Sequence, residues 1–193
     1  MKIAFFVVLG LLVVGGLTYF LFRRNSSGDT ERQPSKKVDP NNNPYNDLRG
    51  QVFSVTPDQI GLSGTQGEEP FAIVMDLGMA EGTATLVAVI DGNASMYLSS
   101  GDGIIGGYGH ENVRSAAIGF VRMGRDYVSR MDKAESFPLP KADYVRFYVL
   151  TNKGKYSAEE EIDKIESEKS DWGRLFFEGN KVITELRLTT EQK

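Results

Sequence analysis

The chain contains no cysteine, one histidine and one tryptophan among 193 residues. Without cysteine there are no disulfides, no thiolate metal sites and no cysteine nucleophiles. One histidine without cysteine leaves too few ligands for zinc, which takes three or four. A surplus of positive charge is missing too. Residues 51–193 carry fifteen Lys and Arg against twenty-two Asp and Glu. Phosphate neutralisation supplies most nucleic-acid affinity, so nucleic acid is not expected as a partner. The acidic run Glu159, Glu160, Glu161, Asp163, Glu166, Glu168 lacks the alternation and central glycine of a calcium loop and reads as a solvated face. No metal and no cofactor is expected, and no catalytic residue is assigned.

Charge is also missing from Ile3 to Phe22, a run of twenty residues closed by Arg23 and Arg24. At about 1.5 Å per residue a helix of this length spans a bilayer core of roughly 30 Å. The competing reading is a cleaved signal peptide. Such peptides have apolar regions of about 7–15 residues and end at a small-x-small site. This run ends instead in bulky residues, Leu17-Thr18-Tyr19-Phe20-Leu21-Phe22. Residues 1–24 are therefore expected to be a single uncleaved transmembrane anchor. Lys2 precedes the run, whereas Arg23, Arg24, Arg32, Lys36 and Lys37 follow it. Positive-inside orientation then places the remainder of the chain in the cytoplasm. Residues 25–50 are rich in Asn, Ser and Pro and poor in apolar residues, and are expected to be a disordered tether.

Residues 51–193 are long enough for one core. Thr56-Pro57-Asp58-Gln59 has the pattern of a capping box with proline at the first helical position, and Gly61 stops the short helix that it opens. Phe71–Leu77, Thr83–Ile90 and Ser95–Ser99 read as strands, joined at Asp91-Gly92-Asn93-Ala94 by a tight turn, and together predict an antiparallel meander. A helix is predicted over 111–131, with Val113, Ala117, Phe120, Val121, Tyr127, Val128 and Met131 at helical spacing. Tyr144–Leu150 predicts a fourth strand. Asn152-Lys153-Gly154 turns it into a short fifth ending near Tyr156. Ser157–Glu160 has the form of a capping box opening an acidic helical segment or loop to Ser170. A last helix is predicted over 171–187, with Trp172, Leu175, Phe176, Gly179, Val182, Ile183 and Leu186 on one stripe. The order β-β-β-α-β-β-α predicts a two-layer α+β domain with an antiparallel sheet of about five strands. In element order alone it is similar to the profilin, roadblock and longin modules.

One loop draws attention. Gly101-Asp102-Gly103-Ile104-Ile105-Gly106 satisfies G-x-G-x-x-G between a strand and a helix. A dinucleotide fold needs a βαβ setting and an acidic residue at the end of the next strand. Here the preceding strands read as antiparallel and the next strand ends Leu150-Thr151-Asn152. The loop is better read as an anion-binding turn or as glycines that permit positive φ. Ser99, Ser100, Gly101, Gly103, Gly106, His110 and Arg114 are its candidate ligand-binding residues. A Ser–His–carboxylate set can be drawn from Ser99 or Ser100, His110 and Asp102 or Glu111. It lacks the Gly-x-Ser-x-Gly elbow.

The stretch Ser95-Met-Tyr-Leu-Ser-Ser-Gly101, Gly103, Gly106-Gly107 and His110-Glu-Asn-Val-Arg114, with Val145–Gly154 and Val182–Arg187, resembles a family of small bacterial proteins of uncharacterised function. The resemblance covers residues 71–187 and implies a bacterial origin, hence the inner membrane. It implies no activity. At Asp102 the chain departs from a position where the family tends to carry glycine. The function expected is a membrane-tethered interaction or scaffold module with a protein partner. The alternative is a sensor or enzyme that uses the 101–109 loop for an anionic small molecule.

Overall fold

Seven strands form one antiparallel sheet, and every hydrogen-bonded neighbour pair in it is antiparallel. The computed structural model describes residues 43–62 and 66–191, which lie in one compact unit, Val38–Lys193. The anchor expected over residues 1–24 lies outside the described residues, and so does the tether expected over 25–50 as far as residue 42. Among those described, no helix is long and apolar enough to cross a membrane.

The strands are β1 (Pro70–Met79), β2 (Gly82–Val89), β3 (Ala94–Leu98), β4 (Gly103–Ile104), β5 (Asp132–Lys133), β6 (Tyr144–Thr151) and β7 (Lys155–Glu161). Their order across the sheet is β4-β3-β2-β1-β6-β7-β5. The helices are α1 (Tyr45–Ser54), α2 (Glu111–Gly124), α3 (Ile162–Glu166) and α4 (Gly173–Glu191). The α+β class and the antiparallel meander are as expected. The count of about five strands is corrected to seven. The two additional strands are two-residue edges, too short to leave a period-2 signal.

β1 sits centrally and is buried almost along its whole length. Residues directly opposite on neighbouring strands share a face. The rows Met96–Leu86–Met75–Phe147 and Ala88–Ile73–Val149 are therefore apolar bands on one face. α2 and α4 cover that face. A Cβ added at Gly124 of α2 would lie 2.7 Å from the Ile73 side chain, and one at Gly179 of α4 would lie 2.7 Å from Met75. Both glycines let a helix sit close on the sheet. This layer holds the principal core, with Val113, Phe120, Val121, Leu175, Val182 and Leu186 buried.

The opposite face carries a second, smaller cluster of Phe53, Ala72, Val74, Val87, Tyr148 and Leu150. α1 and the loop at Phe137 lie over it. Phe53 stacks on Phe137 at 4.0 Å and meets Tyr148 edge-on at 5.1 Å. α1 begins inside the stretch expected to be tether. Tyr45, Arg49 and Phe53 recur at i, i+4 and i+8 and are buried, so residues 45–50 belong to the fold.

Three boundaries also differ. The helix expected over 111–131 ends at Gly124. The chain turns there, and Tyr127 and Met131 are buried from a 3-10 turn instead, with Tyr127 against Trp172 at 5.5 Å. Ser157–Glu160 is strand, not a helix start. Its register sets Glu159 against Arg146 and Glu161 against Tyr144, and both pairs bond. Cross-strand pairing thus overrides the local capping pattern, and α3 starts at Ile162. The last helix begins at Gly173 and runs on to Glu191.

Candidate functional site

The glycine-rich segment is a hairpin followed by a helix start. Leu98 N–H donates to the Asp102 carbonyl at 2.8 Å, closing a turn in which Gly101 has φ 99°. β4 then returns along β3, Gly103 opposite Tyr97 and Ile104 opposite Met96. Gly106 is left-handed at φ 83°, and its N–H reaches the Ser95 hydroxyl at 3.4 Å. Gly107–Gly109 forms a 3-10 turn that leads into α2.

This hairpin separates the candidate residues. Ser99, Ser100 and Gly101 lie at the far end of β3, beside the start of β2. Ser99 Oγ accepts from Thr83 N–H at 2.9 Å, and the Ser99 carbonyl accepts from Asn43 Nδ2 at 2.8 Å. Gly106, His110 and Arg114 lie at the other end, near Ala94 and the Gly92 turn. At about 3.3 Å per residue, the five residues of β3 put roughly 15 Å between the groups. Gly103 sits between them in the ladder. The Ser–His–carboxylate set drawn from sequence is therefore not assembled. The serine is committed to a backbone amide, and His110 is an exposed N-cap residue without a side-chain capping bond.

Arg114 is the most constrained of the seven. Its Cβ and Cγ lie against Gly92, its guanidinium stacks on Tyr108 at 4.8 Å, and Nη1 reaches Glu111 at 3.4 Å. Its Nε is buried and has no hydrogen-bond partner among the described residues. A shallow depression of about 420 Å³ runs along the same helix, lined by Glu111, Arg114, Ser115, Ile118, Gly119 and Arg122. Beside Arg114 the loop holds Ile105 and Tyr108 out to solvent, 67% and 49% exposed.

A polar network that the sequence reading did not find lies on the α1 face. Asp76 is fully buried in β1. Arg49 donates to it from Nη2 at 2.6 Å and from Nε at 3.2 Å to both oxygens, and from Nη1 to the Phe137 carbonyl at 2.9 Å. Thr85 donates to Asp76 at 2.5 Å, and the Tyr45 hydroxyl joins Thr85 at 2.7 Å. Burial acts to lower the Arg49 pKa, but the hydrogen bonds and charge of Asp76 outweigh it and hold it above its ordinary value. Burial raises the Tyr45 and Tyr148 phenols. One signal was available: Asp76 is the single charge in the otherwise apolar run Phe71–Leu77.

Three of the six acids in the run pair with two cations within the fold. Glu159 pairs with Arg146 at 2.5 Å, and Lys164 meets Glu160 at 3.3 Å and Glu161 at 3.4 Å. A bond from the Tyr144 hydroxyl, then Lys164, lowers the Glu161 pKa. Among the described residues no three His, Cys, Asp or Glu are grouped to hold a metal ion. No protein-family model, curated protein or solved structure matches the chain.

Proposed function

We propose that this chain is a membrane-tethered protein-interaction or scaffold module, and that the loop 105–109 is its contact surface. The observation that carries the reading is a large apolar side chain, Ile105, 67% exposed on a loop fixed at both ends of its turn. Gly107 within that loop is buried, and an added Cβ there would fall 2.5 Å from Val113 and 2.8 Å from Leu186. Tyr108 rests on Arg114. Held apolar groups lose little conformational freedom on binding, which favours a contact role. Tethering rests on the apolar run of residues 3–22, and the cations after it favour the cytoplasmic side of a bacterial inner membrane.

One observation favours a second reading. The unpartnered Nε of Arg114, on the first turns of α2, suits an anionic small molecule bound near Gly106 and His110. One experiment separates the two. The full-length protein, carrying a photo-crosslinking side chain at Ile105 or at the distant exposed Lys169, is irradiated in native membranes. The contact reading expects a discrete adduct from position 105 and none from 169, still formed in Arg114→Ala although Tyr108 then loses its support. Equal labelling from both positions refutes it. Saturable binding of inorganic phosphate that Arg114→Ala abolishes establishes the second reading.

A further inference from the structure

α1 is fastened to the domain in an unusual way. It is ten residues long, and isolated helices shorter than about 12–15 residues are marginal in water. Its one side-chain bond at the start is the Tyr45 N–H to Asn43 Oδ1 at 3.0 Å, no basic residue in the last turn supports it, and Gly50 lies in its interior. Asn46, Asp47, Gly50, Gln51 and Ser54 are exposed. Tyr45, Arg49 and Phe53 alone are buried, and the middle one of these three is charged. α1 is therefore helical because it is docked, through the Tyr45, Arg49 and Phe53 stripe with Val52 beside it and the bond from Asn43 Nδ2 to the Ser99 carbonyl before it.

The seat beneath it is selective. A fully buried carboxylate is costly unless paired, and the cation that pairs with Asp76 comes from α1 itself. The next cation in that row of the sheet, Arg146, is opposite Asp76 but is bound to Glu159. With α1 unseated, Asp76 meets water and its cost disappears. The docked and undocked states are thus both free of an uncompensated charge, whereas a docked α1 without Arg49 is not. The principal core lies on the other side of the sheet, between Ile73, Met75, Phe147 and Val149 and the two long helices.

We infer that α1 is a detachable strap, with Arg49–Asp76 as its clasp. It folds onto the sheet and leaves it as a unit while the sheet, α2 and α4 stay folded. Its position in the chain gives the device a purpose. α1 is the first element among the described residues, so a pull or a binding event on the chain before it reaches α1 before any other described element. Release uncovers Asp76 and the part of the Val74, Val87 and Tyr148 face under Phe53, while Phe137 and Pro138 remain against Tyr148. The inference does not depend on what loop 105–109 contacts.

Native-state amide exchange on the full-length chain in detergent micelles tests this. Regions that open locally exchange faster than those that open only on global unfolding. In the wild type, α1 amides should exchange at least about tenfold faster than those of β1 and β6. Their rates should hardly respond to low denaturant. Arg49→Met should speed α1 exchange on the order of a hundredfold or more, the fold-change equivalent of removing one partner of a buried pair. Protection in β1, β6, α2 and α4 should be unchanged. Adding Asp76→Asn to Arg49→Met should restore much of the α1 protection, because no charge is then left buried. Exchange of α1 together with the sheet in the wild type would overturn the inference. So would loss of protection throughout the domain, or failure to fold, on Arg49→Met. Absence of rescue in the double variant would remove the clasp.

Discussion

Three glycines within four residues of the 106–109 loop should respond to alanine in three different ways. Gly106 has φ 83° and no atom within 4 Å of an added Cβ. Its cost is conformational, roughly 1–2 kcal/mol for a left-handed alanine. Against this stands about 0.4–1 kcal/mol gained because the unfolded chain loses freedom. A net destabilisation of about 1 kcal/mol remains. Gly107 has no such backbone constraint, but a Cβ there falls 2.5 Å from Val113 Cγ1, 2.8 Å from Leu186 Cδ2 and 3.3 Å from the Ala94 carbonyl. Val113 is β-branched within a helix and has little rotamer freedom to yield. Overpacking of this kind costs about 1–3 kcal/mol, so Gly107→Ala should be the worst of the three, at about 2 kcal/mol. Gly109 meets nothing within 4 Å and has no positive φ, so its alanine should be neutral or stabilising by up to about 1 kcal/mol. Trp172 is the chain's one tryptophan and packs between Tyr127 and Phe147. Its fluorescence in urea therefore reports unfolding of the core directly. Midpoints should rank Gly109→Ala, wild type, Gly106→Ala, Gly107→Ala from highest to lowest, with unchanged slopes. At this size, 2 kcal/mol corresponds to roughly 4–8 °C in melting temperature. If Gly107→Ala proves as benign as Gly109→Ala, the loop does not pack under Val113 and Leu186. The rigid presentation of Ile105 and Tyr108 then fails with it.

Two further outcomes follow from the α1 face. A fragment of residues 43–193 should unfold cooperatively, while one of residues 51–193, which lacks Tyr45 and Arg49 and leaves Asp76 open to water, should be less stable by about 1.5–3 kcal/mol, the scale of burying one large side chain; equal urea midpoints would show that α1 adds nothing. In alkali, burial keeps the Tyr45 and Tyr148 phenols above the free tyrosine value of about 10, so the stability they lend is complete below that pH and is lost as pH rises through their folded-state values. Phenolate absorbance should show them ionising only as Trp172 fluorescence reports unfolding, and ionisation of all eight tyrosines near the free value in an intact fold would refute it.

What was legible in the chain was whatever one segment declares by itself. The strands at Phe71, Thr83 and Tyr144 announce themselves by β-branched and aromatic residues between turns. Their observed ends fall close to the expected ones. At Thr56 the box forms as expected, the Thr56 N–H donating to Gln59 Oε1 at 2.8 Å and Gly61 following in the left-handed region at φ 72°. Local patterns failed where a neighbour decided. Ser157-Ala-Glu-Glu160 has a good helix-start sequence, yet Arg146 and Tyr144 on the adjacent strand offer Glu159 and Glu161 stronger partners than a helix N-terminus would. The apolar spacing after Gly124 continues to Met131, but α2 ends at Gly124 in a series of turn bonds, Asp126 N–H to Met123 and Tyr127 N–H to Gly124, and Tyr127 and Met131 are buried from either side of the 3-10 turn that follows.

The seven residues singled out around the glycine loop are neighbours in sequence, and a hairpin turns sequence neighbours into spatial opposites. Ser99 and His110 are eleven residues apart, which invites a shared site, but β3 and β4 intervene and carry them to opposite ends of a strand. Arg49 and Asp76 are twenty-seven apart with a turn between them, which discourages pairing, yet they meet at 2.6 Å. The usable clue was chemical, not positional. An acid inside a strand that is apolar on both sides of it must be paired, because its solvation is lost on folding. The partner must come from an element covering that face, carry a cation, and bring enough apolar surface to stay there. In the segment before β1, Tyr45-x3-Arg49-x3-Phe53 meets all three conditions, with an aromatic one turn before the cation and another one turn after it. That stripe was hidden in a stretch whose average composition, rich in Asn, Ser and Pro, marks an unfolded tether. Composition averaged over twenty-six residues gave the wrong boundary, whereas the unmet demand of one buried carboxylate gives the right one.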